Sequence, residues 1–588
     1  MKKFIQFILV GALCLSAVSC EDFLDRPTID GYNTSNFYQT DEQCLQGVNY
    51  LYNSPWYDII RYFMKDAEIM AGNVYVGQSA YSTLTVNGTD TELKDMSYSL
   101  WAENAQCNTV INNLVAAEGP SQAVKNQCIG EALAWKAMAY FCLVRCFGDV
   151  PIIHNNTESI KQGDYNDAKK VAKADVYEYI IMTLEKAMTL LPKNPYIGQY
   201  NRIDYYAAEA LLAKVYLTRA GVTGAISTGD LAMAAQLAKD VIDNSGRSLT
   251  PKYSDVFRLH PSVFNQTGEC LFSWLWTSTS GIWTAQNSIQ CDVAMVGFDE
   301  FGDTWGGWNG VSIDLADHFG VSATDDPIMR QNDTDDRRKA TMMMPGDHYD
   351  YFWQDKGGFD VLKFVYEPDE YGKGGPGGSW QSSTGALYAK HLYGDAYDHE
   401  SALGVSADRM CNQLPTHILR LSDIYLVYAE ASLLTGNSAA ALEYVNKVRE
   451  RANAVPVKEV DYETIWNERR LELALEGDRW FDYVRRSYYD VDACISDLLG
   501  QRRSFWGSIN ETLKPYVCDD SGAYAGMGAH AWDSSAMEYI EQYDLKDVKP
   551  SMFTLPFPSE DVVLNPNMGT DGEVINVNVR ETYNYDNF

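Results

Sequence analysis

Positive charge is scarce in this chain of 588 residues. Lysine and arginine together number 47, against 80 aspartate and glutamate residues, so the formal net charge is −33. A strongly acidic surface repels phosphate backbones, which argues against nucleic acid as a ligand. The same charge favours solubility and says little about the fold.

The signatures of the commonest catalytic and metal sites are also missing. The sequence contains no HExxH, Walker A or GxSxG motif, which argues against zincin, P-loop and common serine-hydrolase chemistry. Twelve cysteines occur without a CxxC pair, so neither a zinc cluster nor a thioredoxin-like site is predicted. Residues 372–377 match GxGxxG formally, but Pro376 and the sequence after it do not begin the helix that a dinucleotide site needs. We therefore expect no cofactor and no metal ion at these motifs, and calcium bound elsewhere stays open.

No apolar run is long enough to span a membrane. Residues 4–18 are apolar and follow two lysines, but they fall short of the ~20 residues of a transmembrane helix. Residues 1–19 therefore indicate a secretory signal peptide. The small residues before Cys20 resemble a bacterial lipobox, in which the cysteine becomes the lipidated N-terminus, and Glu21 and Asp22 resemble the acidic tag of surface-exposed Bacteroidetes lipoproteins. The alternative is an ordinary signal peptide with a chance cysteine.

Two blocks of the chain show helical periodicity. In the first, residues 20–249, apolar residues recur at helical spacing within 131–148, 174–192, 204–221 and 230–246. The second block, residues 416–588, shows the same pattern between about 418 and 487. Short connections and alanines at facing positions are typical of tetratricopeptide-like helix pairs that stack into a solenoid. We predict a mainly α fold of this kind.

Between these blocks, residues 250–415 have a different composition. Glycine, tryptophan, aspartate, serine and threonine become frequent and the helical periodicity fades, as in 273–284 and 301–310. A long irregular insert in a helical scaffold is usually functional or disordered, and the many aromatic residues argue against disorder. We predict a large, loop-rich and aromatic-rich insert.

Four motifs, in order along the chain, resemble the SusD/RagB family of outer-membrane lipoproteins. They are AYFCLVRCFGDVPI (139–152), RLSDIYLVYAEA with NKVRERA (420–431 and 446–452), NERRLELALEGDRWFDYVR (467–485) and FTLPFPSEDVVLNPNM (553–568). The family's usual chain ending is absent in its common form.

The resemblance implies a fold, a place and a partner. It implies a tetratricopeptide-like solenoid with a variable insert, in a lipoprotein on the cell-exposed side of the outer membrane. Family members cover a SusC-like, TonB-dependent barrel and bind oligosaccharides or other nutrients for import. This chain would then capture an oligo- or polysaccharide and deliver it to such a barrel, tethered through Cys20, without acting as an enzyme.

Three glutamates in the third motif could suggest catalysis. Glu468, Glu472 and Glu476 repeat every four residues and so share one helix face with nearby arginines. A glycosidase instead needs two carboxylates across a cleft, one with a raised pKa. Carboxylates beside arginines are held ionised, so we expect these three to be structural.

Aromatic side chains of the insert are the best candidates for contact with a sugar. A flat ring can cover the apolar face of a pyranose while polar side chains reach its hydroxyls. Trp305 and Trp308 flank two glycines, and Trp283 follows a polar stretch, so we predict that all three bind glycan. Trp276 alternates with Trp274 as on a strand with one buried face. Trp274 is assigned to the core, and Trp276 stays among the candidates.

A second candidate patch is GNVYVGQSAY (72–81), which contributes Asn73, Tyr75 and Tyr81. It follows the first helical segment, where SusD-like proteins often place binding loops, so the resemblance alone implies this assignment. Other functions stay open at this point. The same fold could bind peptides or another nutrient, an anchored glycoside hydrolase would release reducing sugar, and a pure protein scaffold would bind no sugar.

Overall fold

Helices dominate the structure. The computed structural model describes residues 37–193, 202–261, 268–299, 301, 304, 306, 309–330, 334–371 and 376–585. The first described helices are α1 (Asp41–Asn49), α2 (Met64–Met70), α3 (Thr91–Ala116), α4 (Gln122–Phe147), α5 (Asn156–Gln162), α6 (Lys173–Leu190), α7 (Tyr205–Arg219) and α8 (Thr228–Asn244). Short helices follow, namely α9 (Ile289–Val293), α10 (Ile313–His318), α11 (Pro327–Arg330), α12 (Asp336–Thr341), α13 (Val361–Tyr366) and α14 (Ala396–Leu403). The later helices are α15 (Leu421–Leu434), α16 (Ser438–Arg451), α17 (Tyr462–Leu473), α18 (Arg479–Ser487), α19 (Val491–Gly500), α20 (Ile509–Val517), α21 (Ser559–Leu564) and α22 (Val579–Thr582).

Strands in the described residues are short and form pairs. They are β1 (Val74–Tyr75), β2 (Lys170–Val171), β3 (Cys270–Trp274), β4 (Gly310–Val311), β5 (Met342–Met343), β6 (His348–Tyr349), β7 (Phe359–Asp360), β8 (Leu387–Tyr388), β9 (Thr416–Arg420), β10 (Phe505–Trp506), β11 (Tyr539–Ile540) and β12 (Val574–Ile575). The antiparallel pairs are β1–β4, β3–β9, β5–β8, β6–β7 and β10–β11, and β2 pairs with β12 in parallel.

The long helices pack in sequence as one stack. Contacts join α3 to α4, α4 to α6, α6 to α7 and α7 to α8, and then α8 to α15 and α15 to α16 and α17. Helices from both periodic blocks of the sequence therefore share one continuous solenoid. The predicted mainly α, tetratricopeptide-like fold is confirmed.

The sequence of α4 shows why the stack is tight. Ser121 caps the helix by accepting a hydrogen bond from the backbone N–H of Val124, and every residue from Cys128 to Phe147 is buried. A helix that is buried on all sides needs small residues where neighbours approach, and α4 supplies several alanines. Cys142 and Cys146, one turn apart, pack in this core and form no bridge. No helix in the described part of the chain is long and apolar enough to cross a bilayer.

The insert begins and ends at one strand pair. Trp274 of β3 lies opposite Thr416 of β9, and Cys270 lies opposite Arg420, so the intervening chain leaves the solenoid and returns to the same place. The predicted strand around Trp274 is confirmed. The alternation of residues around Trp274 predicted a strand with one buried face. All five residues of β3 are buried instead, because the strand also packs against α7.

Candidate functional site

An exposed tryptophan stands on a fixed turn of the insert. Trp283 begins the 3₁₀ turn Trp283–Ala285 and is 55% exposed. The turn is held because Thr277 N–H donates to the carbonyl of Ala285 at 3.0 Å. Behind the indole lies buried Tyr57, with 6.5 Å between the ring centroids. One side of the indole is thus supported and much of the ring meets solvent.

The π-helix that follows Tyr57 carries a cation and a second aromatic. The segment Ile59–Phe63 is π-helical, a rare conformation that is frequent at functional sites. It presents Arg61 and Tyr62, with the guanidinium carbon 5.1 Å from the Tyr62 ring centre. Partial burial acts to lower the pKa of Arg61, but Tyr62 and Asp292 outweigh it and raise that pKa. The guanidinium is therefore a permanent donor on the π-helix that begins two residues after Tyr57.

Carboxylates lie around the π-helix on three elements. Asp58 immediately precedes the π-helix, Asp95 lies on α3 and Asp292 lies on α9, and both helices pack against the π-helix. Burial and the nearby Asp95 raise the pKa of Asp58, while Arg61 acts in the opposite direction. The carboxylates are therefore close enough to interact.

These side chains lie on Trp283 and Tyr57, on the π-helix that follows Tyr57, and on the two helices packed against that π-helix. We call this set of residues the Trp283 face, made of Tyr57, Arg61, Tyr62 and Trp283 with Asp58, Asp95 and Asp292 at its edge. A flat ring offers an apolar contact, and the surrounding donors and acceptors can satisfy hydroxyl groups. The arrangement is suited to a polyhydroxylated ligand that has one apolar side.

The glutamates of the third motif serve a different purpose. Glu468, Glu472 and Glu476 are buried and each forms ion pairs with basic side chains. Burial acts to raise the pKa of Glu476, but Arg420 and Lys390 outweigh it and lower the pKa to about 2. A general acid needs the opposite shift. The prediction that these three carboxylates are structural is confirmed, but Glu476 lies beyond the end of α17 at Leu473 and so does not share a helix face with the other two.

Two family models match this chain. The model of the SusD family matches residues 277–570, half of the chain. A second model, described as starch-binding associating with outer membrane, matches residues 27–217. The chain belongs to the SusD family.

Similar proteins share this SusD-family architecture over almost their whole length. A SusD-like protein of Bacteroides ovatus is 29% identical over 585 residues, covering 96% of this chain and 97% of that protein. A SusD-like protein of Formosa agariphila is 25% identical over 528 residues, covering 82% of this chain and 91% of that protein. A crystal structure determined with xylogluco-oligosaccharide has 25% identity and a TM-score of 0.73, covering 91% of this chain and 99% of that one.

Within this SusD-family fold, Trp276 is not a surface residue. It is 5% exposed, and its indole N–H donates to Thr416 Oγ1 at 3.1 Å. Trp276 therefore seals the β3–β9 junction and offers no ring face to a ligand. Trp274, which the sequence assigned to the core, is buried against Trp56 with ring centroids 5.6 Å apart.

The second predicted patch does not form one surface. Asn73 is fully buried, where it donates to Glu68 Oε2 at 2.7 Å and accepts from Arg470 Nε at 2.8 Å. Tyr81 is also buried, and its hydroxyl donates to Asp90 Oδ1 at 2.9 Å. Both side chains tie the patch to the helices and are unavailable to a ligand in this conformation.

Tyr75 is the member of that patch that keeps partial exposure. Its ring lies 6.1 Å from Phe505 and 6.2 Å from Tyr543, measured between centroids. These partners belong to the chain segment around β10 and β11, whereas Trp283 contacts Tyr57. The structure therefore gives Tyr75 a different set of aromatic neighbours from those of Trp283.

Three predicted site residues, Cys20, Trp305 and Trp308, lie outside the described residues. Two described residues beside the tryptophans, Thr304 and Gly306, show where this part of the insert contacts the rest of the protein. Thr304 Oγ1 accepts from the backbone N–H of Gly297 at 2.9 Å, and a Cβ on Gly306 would lie 1.8 Å from the carbonyl oxygen of Asp292. The backbone around Gly306 thus passes beside α9, which contributes Asp292 to the Trp283 face.

Sequence reasoning missed Tyr57, Arg61 and Tyr62. They lie in WYDIIRYF (56–63), a stretch from which the sequence analysis drew no prediction. A π-helix has no clear sequence signature, and its irregular turn changes which side chains reach the surface. The adjacent Arg61 and Tyr62 inside an apolar run were the one usable signal.

Proposed function

We propose that this SusD-family chain captures a glycan on the Trp283 face. The observation that carries the proposal is the exposed indole of Trp283, with Tyr57 behind it and Arg61 on the π-helix that follows Tyr57. The indole can cover the apolar side of a pyranose, while Arg61 donates to its hydroxyls. Two comparisons support the same proposal: the similar structure determined with xylogluco-oligosaccharide, and the starch-binding description of the second family model.

Affinity in such a site comes from several modest contacts on a preformed surface. One ring contributes little, and a preformed platform limits the entropy lost when the glycan binds. Tyr98 is 71% exposed and lies one turn after Asp95 on α3, so it shares that helix face. Tyr50 is also exposed. We propose that a chain of several sugars crosses Trp283 and continues toward these two tyrosines.

Affinity electrophoresis of the purified protein tests this proposal. Native gels containing xyloglucan, starch or other polysaccharides should retard the wild type with at least one of them. We expect Trp283→Ala to weaken that retardation roughly tenfold or more, as loss of a central aromatic contact does at other binding surfaces. Tyr397→Ala is the matched control, because Tyr397 is an exposed aromatic on α14, an element that contributes no residue to the face.

The outcomes separate the candidate functions. Equal retardation of wild type and Trp283→Ala would show that the glycan binds at another surface. An absence of retardation by every polysaccharide would refute glycan capture and favour a peptide or another nutrient as ligand. Release of reducing sugar would indicate a hydrolase.

We propose further that the chain is a cell-surface lipoprotein that delivers its glycan to a SusC-like, TonB-dependent barrel. Cys20 would carry the lipid, and the second family model is described as associating with the outer membrane. Mass spectrometry of the protein purified from membranes should show an acylated Cys20. Cys20→Ala should release the protein from the membrane fraction, and detergent-solubilised wild type should co-purify with a barrel protein. A Cys20→Ala variant that stays membrane-bound would contradict this attachment.

A further inference from the structure

An open cleft of about 820 Å³ lies between α5, the C-terminal end of α3 and the last described residues of the chain. Its volume falls within the range of roughly 300–1,000 Å³ that is usual for small-molecule sites. The paired strands β2 and β12 contribute Val171 and Ile575 to its wall. Elements from both ends of the chain therefore meet around one cleft.

Three rings line the cleft and are held in place by their neighbours. The ring centroid of His154 lies 5.7 Å from that of Tyr583 and 4.8 Å from that of Tyr585. His154 Nδ1 lies 3.0 Å from the hydroxyl of Tyr179, and its carbonyl accepts from buried Lys136 Nζ at 2.6 Å. Burial and the charge of Lys136 lower the pKa of His154 to about 3, so the imidazole is uncharged at neutral pH. The cleft thus offers preformed, neutral rings.

Polar side chains line the same cleft. Asn112 of α3 and Asn155, which caps α5, exchange hydrogen bonds between their amide groups at 3.1 and 3.2 Å. Glu158 and Gln162 are four residues apart on α5, so they share a helix face, and both line the cleft. Tyr583 keeps partial exposure. Donors, acceptors and an accessible ring therefore meet in one place.

Most of the charge in the cleft is already paired. Three of the four acidic or lysine side chains that line it have partners, in the pairs Lys169–Glu573, Glu158–Lys161 and Asp167–Asn567, with N···O distances of 2.7, 3.0 and 3.0 Å. The fourth, Asp164, is exposed. A charged ligand would compete with these partners, whereas hydroxyl groups can use the remaining donors and acceptors. The lining therefore favours a neutral, polyhydroxylated ligand.

We propose that this cleft is a second saccharide site, which takes a short neutral oligosaccharide independently of the Trp283 face. Tyr583 covers the apolar side of a sugar in this arrangement. Asn155, Glu158 and Gln162 bind its hydroxyl groups. The inference takes its ligand class from the proposed function, but it does not require Trp283 to bind.

Helix α3 sets the distance between the two sites. The turn that begins at Trp283 packs against residues Ser54–Trp56, and Ser99 of α3 donates to the carbonyl of Pro55. Asn112 lies thirteen residues farther along α3, which corresponds to about 20 Å at the helical rise of ~1.5 Å per residue. A glycan that spans this distance can contact both sites, and two linked contacts raise the overall affinity.

Calorimetry and amide hydrogen exchange on the purified protein test this site. The probes are maltoheptaose and a xylogluco-oligosaccharide. In Trp283→Ala, which lacks the central ring of the other site, at least one probe should still bind and should slow exchange in residues 152–169 and 579–585. Adding Tyr583→Ala to Trp283→Ala should weaken this remaining binding roughly tenfold or more.

A second variant covers the case in which Tyr583→Ala does not fold. Glu158→Ala/Gln162→Ala changes exposed positions of α5, where alanine favours the helix, and should weaken the same binding. The controls are Tyr397→Ala and Glu443→Ala, because both side chains are exposed on helices that do not line the cleft. Each control should bind as its parent protein does. Circular dichroism and thermal unfolding confirm that each variant is folded.

The outcomes distinguish the two sites. Unchanged affinity in the folded cleft variants, with unchanged exchange in residues 152–169, would overturn the inference and leave the Trp283 face as the glycan site. Complete loss of binding in Trp283→Ala would also overturn it, because no independent site would remain. Weaker binding in the cleft variants, with wild-type affinity in Trp283→Ala, would support the cleft and refute the Trp283 face. Failure of both probes to bind the wild type would refute both sites.

Discussion

Replacing Glu472 by glutamine should destabilise the protein strongly. Glu472 is fully buried and accepts from Arg420 Nη1 at 2.6 Å, from Arg337 Nη1 at 3.3 Å and from Arg451 Nη2. These arginines come from β9, α12 and α16, so one carboxylate joins the end of the insert to the solenoid. Burial acts to raise the pKa of Glu472, but Arg451 and Arg420 outweigh it and hold the pKa well below its usual range.

The magnitude follows from the charge that is left behind. Glutamine keeps the shape of the side chain but removes its charge, which leaves buried guanidiniums with too few counter-charges. Removing one partner of a buried ion pair costs about 3–5 kcal/mol of unfolding free energy. That is a large part of the ~5–15 kcal/mol by which typical domains are stable.

Urea unfolding followed by tryptophan fluorescence measures this cost. The control is Glu443→Gln, because Glu443 pairs with Lys447 at 2.6 Å on the exposed face of α16 and such pairs contribute about 0.3–0.5 kcal/mol. We expect a large fall in the urea midpoint for Glu472→Gln and almost none for Glu443→Gln. Similar midpoints for the two variants would refute the structural role assigned to the buried network.

Two further predictions concern stability. Burial lowers the pKa of His391 and of His417 to about 4, below the ordinary 6.5, so each stays neutral when folded. As the pH falls, each histidine is protonated in the unfolded chain before it is protonated in the folded protein. The unfolding free energy should therefore be highest above pH 6.5 and fall toward pH 4, by up to about 3 kcal/mol for each group. Urea midpoints at pH 7.5 and pH 5 measure this loss of stability. The midpoint should fall less in His417→Asn than in the wild type, and an equal fall in both would contradict the role assigned to His417. Separately, Trp276→Ala should lower the unfolding free energy by about 3–5 kcal/mol because it leaves a cavity. Calorimetry on the folded variant should show the glycan affinity of the wild type. Weaker glycan binding by a variant that is still folded would place Trp276 in the binding site.

The helical scaffold could be predicted from the sequence because its signal is local. The apolar spacing around Cys142 and Cys146 indicates a buried helix, and α4 is one. The same spacing could not show that α8 packs on α15, since this contact crosses the whole insert. Long-range packing of this kind is specified by surfaces that become adjacent only in the folded chain.

The site was harder to predict because exposure depends on distant partners. Asn73 is polar and follows a helix, yet Arg470, far along the chain, holds it in the core. Trp276 lies two residues beyond Trp274, and its burial depends on Thr416 across the strand pair. Trp283 was predicted from its polar surroundings, and the structure places it on the surface with Tyr57 behind it. The π-helix that adds Arg61 had no readable pattern.

A crystal structure of the protein with a retained oligosaccharide tests the central claim most directly. The account predicts a pyranose whose apolar side lies on the exposed indole of Trp283, with Arg61 within hydrogen-bond distance of a sugar hydroxyl. An oligosaccharide bound at another surface, with Trp283 left in solvent, would contradict it.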